Sequence, residues 1–293
     1  MFEGIQVKQE AILAPHTTLR VGGPAEYLAF PKNQNELRKL LQEAHLHQMP
    51  VYVLGGGSNL LVSDKGVRGL VIDLVGDFEK IDIAPGGTEI EVGAAFSFPK
   101  LTRLCLELGW ESALCWCGVP GLVGGALKMN AGTRLGEMGE VVKQVEVMTQ
   151  EGLQVLSHAQ MGFAYRQTAF PKDAILCQAR LVYKNPNPKK KSELLQKASE
   201  LAKIRKATQP KQPSAGSMFK NPPGDYAGRL IEACGLKGAK RGGACISDVH
   251  ANFIVNQAGT SAKEIFELSE IARKKVYNQF RIKLEYEVRY WGF

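Results

Sequence analysis

"VLGGGSNLLVSD" (53–64) begins as an apolar strand and runs directly into three glycines, a serine and an asparagine. Glycines let the backbone reach positive φ and let neighbouring amide N–H groups face inward together, which forms an anion-binding nest. The stretch therefore predicts a loop that holds a pyrophosphate, although a plain structural turn is the alternative. The cofactor-binding residues predicted here are Leu54, Gly55, Gly56, Gly57, Ser58 and Asn59.

The loop fits neither of two common nucleotide-binding motifs. No Gly-Lys-Ser/Thr follows it, which excludes a Walker loop. The glycine spacing is wrong for a Rossmann fingerprint, and the next residues, "LLV", predict a strand where that motif needs a helix.

A second glycine-rich stretch, "GVPGLVGGALKMNAG" (118–132), favours a ligand over a turn. Its backbone can pass close to a flat, extended molecule without side-chain collisions. Two such loops suit a dinucleotide held between two subdomains, whereas two tight structural turns are the alternative. The predicted cofactor contacts on this loop are Gly118, Val119, Pro120, Gly124, Gly125, Ala131 and Gly132.

The composition is that of an ordinary globular protein, with 44% hydrophobic and 23% charged residues among 293. No apolar run reaches the roughly 18 residues of a membrane helix, and the first residues resemble no signal peptide, so a cytoplasmic protein without membrane insertion is expected. The six cysteines lack metal-ligand spacing and predict reduced, mostly buried thiols, and no metal site.

The formal net charge of +8 could indicate nucleic-acid binding. However, the lysines and arginines are spread out, and no aromatic-plus-basic RNA motif is present. A basic enzyme that handles phosphorylated, anionic substrates explains the charge at least as well.

Hydrophobic periodicity and capping signals predict a mixed α and β chain. The predicted helices span 33–48, 97–109, about 190–207 and 226–235, and a further one opens at Ser261. Asn33 with Glu36 predicts the cap of the first helix, and Ser261 with Glu264 predicts a capping box for the last. The predicted strands are 25–30, a buried strand at 51–55, 70–74, the hairpin 80–84 with 89–95 around "PGGT", 142–150, 174–184, 252–256 and 283–291. The Pro-rich "QPKQPSAGS" (209–217) predicts a domain junction.

Six stretches in order carry a family resemblance. They are the two glycine-rich loops, "TLRVGGPAEYLAFP" (18–31), "YRQTAF" (165–170), "SAGSMFKNP" (214–222) and "GGACISDVHANFIVN" (242–256). Together they resemble the UDP-N-acetylenolpyruvoylglucosamine reductase family, over residues 15–290.

The resemblance implies an α+β chain with the vanillyl-alcohol-oxidase-type (PCMH-like) two-subdomain FAD-binding fold plus a C-terminal α+β substrate-binding domain. The expected divisions are 1–77, 78–208 and 209–293, with the terminal strand able to pack back on the flavin domain. Only the stretch from Phe170 to Pro213 separates the Tyr-Arg motif from the serine motif. The chain therefore resembles the kind of family member that lacks the extra tyrosine-bearing loop and βαββ insertion.

The resemblance also implies the reaction. FAD is the cofactor, and NADPH reduces it before UDP-N-acetylenolpyruvoylglucosamine takes the same site. Hydride passes from flavin N5 to C3 and a proton to C2, which gives UDP-N-acetylmuramate for peptidoglycan synthesis. A monomer with these two small-molecule partners is expected.

Three residues match the family's catalytic positions. Arg166 would grip the substrate carboxylate, although a lone arginine is otherwise a surface ion pair. Ser217 would donate the proton to C2, with a turn or cap serine as the alternative. Glu287 would act beside the developing enolate; Glu285 lies on the same face by strand alternation, so spacing alone does not separate the two.

Further roles follow from the same resemblance. Lys220 and Asn221 are predicted to orient the substrate, and Tyr165 to line the nicotinamide and sugar region. Arg205 is expected on the flavin side. His250 in "DVHANF" invites a catalytic role, but a histidine beside a buried strand favours a structural one.

Two other functions compete with this interpretation. One is a flavin oxidase of the same fold that uses O₂, and the other is a basic nucleotide- or RNA-binding protein without chemistry. A yellow protein that NADPH bleaches would exclude the binding protein. Recovery of colour only on addition of the enolpyruvyl sugar nucleotide would exclude the oxidase.

Overall fold

The computed structural model describes residues 2–171 and 173–293. The α-helices are α1 (Gln34–Leu46), α2 (Phe98–Glu107), α3 (Val123–Lys128), α4 (His158–Met161), α5 (Lys191–Thr208), α6 (Ala227–Ala233) and α7 (Ala262–Phe280). The strands are β1 (Val7–Ile12), β2 (Pro24–Ala29), β3 (Val51–Leu54), β4 (Leu60–Val62), β5 (Val67–Asp73), β6 (Ile81–Ile83), β7 (Glu89–Gly93), β8 (Gly132–Thr133), β9 (Gly136–Glu137), β10 (Val142–Met148), β11 (Leu153–Ser157), β12 (Ile175–Val182), β13 (Ser214–Ser217), β14 (Lys240–Arg241), β15 (Ala244–Ile246), β16 (Phe253–Asn256) and β17 (Arg289–Trp291).

The chain divides into two compact units. The first comprises the described residues up to Lys8, Tyr27–Gly55 and Gly69–Lys203, and the second comprises Gln9–Glu26, Gly56–Arg68 and Ile204–Phe293. The second unit is thus assembled from three separate stretches of sequence. The division at 77 and 208 expected from the sequence stays a prediction.

A five-stranded antiparallel sheet, in the order β11-β10-β12-β7-β6, organises the core of the first unit. β6 and β7 form the hairpin that "PGGT" predicted, and Gly86 and Gly87 supply the positive φ of its turn. Alternate residues of β10, Val145 and Val147, are fully buried, as the period of a strand requires.

A second sheet has the order β1-β2-β5-β3, in which β3 and β5 run parallel with Val51 opposite Leu70. The expectation that the strand at 51–55 is buried is wrong, because Val51 is 36% and Val53 43% exposed. Val51 and Val53 share one face of β3, the strand at the end of this order, and that face is open to solvent.

Capping residues set the helix starts where the sequence places them. The Asn33 side-chain oxygen accepts the Glu36 N–H at 3.0 Å, at the start of α1. Ser261 and Glu264 form the predicted capping box of α7. The Asp64 carboxylate also accepts an N–H at 2.8 Å from Ala262, which fixes α7 to the segment after β4 within the second unit.

The second unit contains the sheet β13-β16-β15-β14, with buried residues of α7 in the same apolar core. A single strand over 283–291 is wrong in extent, since only Arg289–Trp291 is regular and Tyr286 forms an isolated bridge to Phe219. The cause is a change of partner, because Arg289–Trp291 pair in parallel with β4.

The thiol prediction is confirmed. All six cysteines are free and five are buried. Burial raises the pKa of Cys115 and of Cys177 from 9.0 to about 12, so both are protonated at neutral pH. Within 2–171 and 173–293, none of the helices has the length and apolar character that crossing a membrane demands.

Candidate active site

Ser217 lies at the end of β13, directly after a β-bulge. Ser214 pairs with Val255 and Ser217 with Phe253, so β13 holds one residue more than the facing stretch of β16. Gly216, with φ of 77°, occupies the left-handed region that such a bulge requires. Bulges bend a strand and redirect the side chain that follows. The bulge therefore gives a physical reason for the small residues next to Ser217, whose hydroxyl is half-buried.

Asn252 clamps the residues that follow the serine. Its buried amide donates to the Phe219 carbonyl at 2.8 Å and accepts the Phe219 N–H at 3.0 Å. The backbone carbonyl of Asn252 accepts the Met218 N–H at 2.8 Å. The strand that carries Ser217 is therefore held rigidly as it leaves β16.

The segment 285–288 lies along the other side of this strand. The Met218 carbonyl accepts the Glu287 N–H at 2.9 Å, and the Lys220 N–H donates to the Glu285 carbonyl at 2.9 Å. The structure thus brings the backbone that bears Ser217 next to the backbone that bears Glu287, although about 70 residues separate them in sequence.

Glu285 and Glu287 differ in their surroundings. The Glu285 side chain is 74% exposed and forms a 3.5 Å ion pair with Lys220. Glu287 is half-buried, and its carbonyl accepts a hydrogen bond at 3.1 Å from the Asn59 side chain. A partly desolvated carboxyl interacts more strongly with charge that develops nearby, so the geometry favours Glu287.

The part of the first glycine loop that belongs to the second unit is bonded to the same segments. The Asn59 carbonyl accepts the Arg289 N–H at 2.9 Å. The Gly57 carbonyl accepts the Thr18 N–H at 3.1 Å, and the Thr18 hydroxyl donates to the Ser214 carbonyl at 2.7 Å. The loop is therefore fixed to β13 through Thr18, a residue to which the sequence pattern gave no role.

The glycines of the two loops fall into two groups. A Cβ built on Gly55 or on Gly125 would meet nothing within 4 Å, and neither has positive φ. In contrast, a Cβ on Gly57 would lie 2.0 Å from the His16 carbonyl oxygen, and one on Gly132 would lie 2.2 Å from the Gly136 carbonyl oxygen. The fold explains the second pair, whereas the first pair leaves open space of the kind that a closely approaching ligand needs.

The other predicted cofactor contacts vary in exposure. Gly56, Gly118 and Pro120 are exposed, Ser58, Val119 and Gly124 are half-buried, and Leu54 and Ala131 are buried. Gly118 adopts φ of 76°, which favours glycine for backbone reasons alone.

Tyr165 and Arg166 form the tip of a tight turn in the first unit. Ala164 and Gln167 exchange two backbone hydrogen bonds of 3.0 Å, and Arg166 has φ of 56°. Its guanidinium donates to the Gly132 carbonyl at 3.1 Å and lies 5.2 Å from the centre of the Tyr165 ring. The structure thus brings the Tyr-Arg motif to the end of the second glycine loop.

Comparison with known proteins adds the identity of these parts. The FAD binding domain family matches residues 25–156, and the UDP-N-acetylenolpyruvoylglucosamine reductase C-terminal domain family matches 209–291. UDP-N-acetylenolpyruvoylglucosamine reductase 2 of Symbiobacterium thermophilum is 42% identical over 98% of this chain and 92% of that protein. The corresponding Myxococcus xanthus enzyme is 39% identical over 99% and 93%.

This chain belongs to the UDP-N-acetylenolpyruvoylglucosamine reductase family. Among solved structures, that of UDP-N-acetylenolpyruvylglucosamine reductase (MurB) from Thermus caldophilus superposes with a TM-score of 0.83 at 40% identity, over 98% of this chain and 99% of that one. The predicted family, the α+β FAD-binding fold and the C-terminal domain are confirmed. The protein is a flavin-dependent oxidoreductase with FAD as its cofactor.

The surroundings of the two glycine-rich loops fit FAD. The space next to Gly55 and Gly125 is open, so packing within the protein does not require glycine there, and a flat ligand has room to approach. The roles of the individual contacts stay predictions.

Asn130 is a residue of this family member that the sequence analysis missed. Its buried amide donates to the Ala164 carbonyl at 3.2 Å and to Glu137, and its oxygen accepts the Gly139 N–H at 2.9 Å. It therefore supports the turn that carries Arg166. The only sequence signal was an asparagine between an apolar helix and two small residues, where a buried amide must find partners.

The remaining predicted residues occupy varied surroundings. The Asn221 oxygen accepts the Ala227 N–H at 3.1 Å, so this side chain holds the start of α6. Arg205 is half-buried in the last turn of α5. His250 accepts the Asn252 N–H at 3.2 Å, and burial lowers its pKa, as expected for a neutral structural histidine.

Proposed function

We propose that this protein catalyses the NADPH-dependent reduction of UDP-N-acetylenolpyruvoylglucosamine to UDP-N-acetylmuramate, a step in peptidoglycan synthesis. The glycine-rich loops at 53–64 and 118–132 would hold FAD, which would supply hydride-transfer chemistry between NADPH and the vinyl carbon C3 of the substrate. The observation that carries the proposal is the backbone pairing of 218–220 with 285–287, which puts the strand bearing Ser217 beside the segment bearing Glu287.

The chemistry needs a proton and a means of balancing charge. Hydride addition to an enolpyruvate leaves negative charge that spreads into the carboxylate as an enolate-like species. In the proposed mechanism the Ser217 hydroxyl donates its proton to C2, which is basic enough at that moment to accept it. In this mechanism Glu287 acts as the neutral acid, whose O–H donates a hydrogen bond to the developing negative charge, and the serine regains its proton from solvent after turnover. Arg166 holds the substrate carboxylate.

The protein is proposed to be the kind of reductase without the extra tyrosine-bearing loop. Among the described residues between Phe170 and Pro213, the regular elements are β12, a 3-10 turn at Pro188–Lys190 and α5. A split βαββ insertion is not among these elements. Lys220 and Asn221 are proposed to orient the sugar nucleotide, Tyr165 to line the nicotinamide and sugar region, and Arg205 to lie on the flavin side.

An anaerobic flavin titration tests the function. NADPH should bleach the yellow protein, and the enolpyruvyl sugar nucleotide should restore the colour while UDP-N-acetylmuramate forms. Ser217→Ala should bleach at the wild-type rate but recover roughly 10²–10⁴ times more slowly, the usual span for loss of a general acid. Glu287→Gln should likewise slow the recovery of the flavin colour and leave bleaching by NADPH at the wild-type rate.

Other outcomes would refute the proposal. Recovery in air without sugar nucleotide, at a rate that competes with turnover, would indicate an oxidase. A colourless protein that binds no flavin would indicate a binding module. Wild-type recovery in Ser217→Ala would remove the serine from the reaction.

A further inference from the structure

A polar cluster within the second unit lies behind the segment that carries Glu287. It consists of Ser269, Glu270 and Arg273 on α7 together with Tyr286 and Tyr290. The Tyr286 hydroxyl donates a short hydrogen bond to Glu270, and the Ser269 hydroxyl lies 3.0 Å from it. Arg273 pairs with Glu270 at 3.1 Å and lies 5.3 Å from the centre of the Tyr286 ring.

Tyr286 connects this cluster to both candidate catalytic strands. Its ring stacks on Phe219 with a centroid distance of 5.1 Å, and the two residues form the isolated bridge between their segments. Phe219 lies two positions after Ser217, and Tyr286 immediately precedes Glu287. One side chain therefore joins the serine strand, the glutamate segment and helix α7.

The backbones of 218–220 and 285–287 are joined by hydrogen bonds of 2.9 Å on either side of the bridge between Phe219 and Tyr286. Tyr286 and Phe219 therefore form a non-hydrogen-bonded pair, where facing side chains approach most closely. At such a pair the side-chain contacts add to the backbone bonds in setting the geometry of the segment. The hydrogen bond from Tyr286 to Glu270 lies across from the ring stack and fixes the far end of the same side chain.

We propose that Glu270, acting through the Tyr286 hydroxyl, is a positioning residue that sets Glu287 relative to Ser217. The inference rests on the proposed function, since it assigns a purpose to that pair. The hydroxyl of Tyr286 bonds to α7, and its ring packs on Phe219. Together these two contacts fix the backbone on either side of Tyr286. Arg273 pairs with Glu270 and holds its carboxyl group beside the hydroxyl.

Paired flavin half-reactions test the inference, with rates expressed per bound FAD. Tyr286→Phe keeps the ring stack but removes the hydroxyl. It should leave bleaching by NADPH unchanged and slow recovery with the sugar nucleotide roughly 10- to 100-fold, as misplacement of a catalytic group does. Glu270→Ala should act in the same way, whereas Glu270→Gln, which still offers an acceptor, should lie close to wild type.

Tyr290→Phe is the matched control. Tyr290 belongs to the same cluster, but its hydroxyl lies 3.5 Å from Ser269 and it is not in the segment between Glu285 and Glu287. This variant should recover at the wild-type rate. A loss in Tyr290→Phe equal to that in Tyr286→Phe would refute a specific positioning role.

Three results separate this inference from the proposed function. If Ser217→Ala recovers slowly while Tyr286→Phe recovers at the wild-type rate, the function stands and the positioning role is wrong. If Tyr286→Phe slows both half-reactions equally, its effect is on folding, and the positioning role is again wrong. If Ser217→Ala and Glu287→Gln both recover at the wild-type rate, the proposed function is wrong, and the positioning role that rests on it is wrong as well.

Discussion

Two glycines of one loop should respond oppositely to the same substitution. Gly57 has φ of 59°, and a Cβ there would lie 2.0 Å from the His16 carbonyl oxygen and 2.8 Å from the Thr17 Cα. Gly55, two positions earlier, has a φ outside the left-handed region and open space around its Cβ position. Gly57→Ala therefore tests the fold, whereas Gly55→Ala tests the cofactor site.

The magnitudes follow from these surroundings. A left-handed alanine costs about 1–2 kcal/mol, and forcing a methyl into packed atoms costs about 1–3 kcal/mol more. Gly57→Ala should thus lower the free energy of unfolding by roughly 2–5 kcal/mol, or roughly 4–20 °C in melting temperature. Gly55→Ala should change the stability of the apoprotein by less than about 1 kcal/mol.

The ligand reverses this ranking. If FAD occupies the open space at Gly55, a methyl there costs about 1–3 kcal/mol of binding, or roughly 5- to 150-fold in Kd. Thermal unfolding of the apoprotein and titration with FAD, followed by quenching of flavin fluorescence, measure the two effects separately. Wild-type FAD affinity in Gly55→Ala, or an unchanged melting temperature in Gly57→Ala, would refute the reasoning.

Three further perturbations have defined outcomes. Asn130→Asp removes the amide donors and buries a carboxylate beside Glu137. It should therefore lower the free energy of unfolding by roughly 1–3 kcal/mol and raise KM for the sugar nucleotide. An unchanged KM in steady-state assays would contradict this. Gly216→Ala strains a φ of 77° without a steric clash, so it should lower the free energy of unfolding by about 1–2 kcal/mol. In stopped-flow measurements it should slow the recovery of flavin colour but not the bleaching. Equal effects on both would argue against a bulge that directs Ser217. Burial raises the pKa of Cys115 from 9.0 and of Tyr286 from 10.0, each to about 12. The contribution of these two groups to the free energy of unfolding is therefore fully present below about pH 9 and is lost as the pH rises towards 12. A melting temperature that stays constant across that pH range would be inconsistent with the buried groups.

The features that the sequence predicted well depend on residues close together in the chain. The cap of α1 involves Asn33 and Glu36, and that of α7 involves Ser261 and Glu264. The glycine hairpin between β6 and β7 is equally local. Such signals are complete within a few residues, so no knowledge of the fold is needed to interpret them.

The missed features depend on partners that are distant in sequence. Val51 and Val53 share the face of β3 that is open to solvent, which an apolar pattern cannot reveal. The alternation of 283–291 predicts one strand, but its last three residues pair with β4, more than 200 positions away. The family resemblance predicts Ser217 and Glu287 as catalytic residues, and the structure places their two backbone segments side by side, whereas alternation alone left Glu285 equally possible.

Two buried asparagines illustrate what the physical analysis adds to the resemblance. Asn130 in the first unit and Asn252 in the second each bond to the backbone next to a candidate catalytic residue, Arg166 and Ser217 respectively. An amide carries both a donor and an acceptor, so it can satisfy the N–H and C=O groups that an irregular turn or bulge leaves unpaired. A carboxylate lacks the donor, and an apolar side chain would leave buried backbone groups unsatisfied at about 1–3 kcal/mol each. In each unit a buried amide thus supports the irregular backbone near a candidate catalytic residue, and the candidate site extends to residues that need not touch substrate.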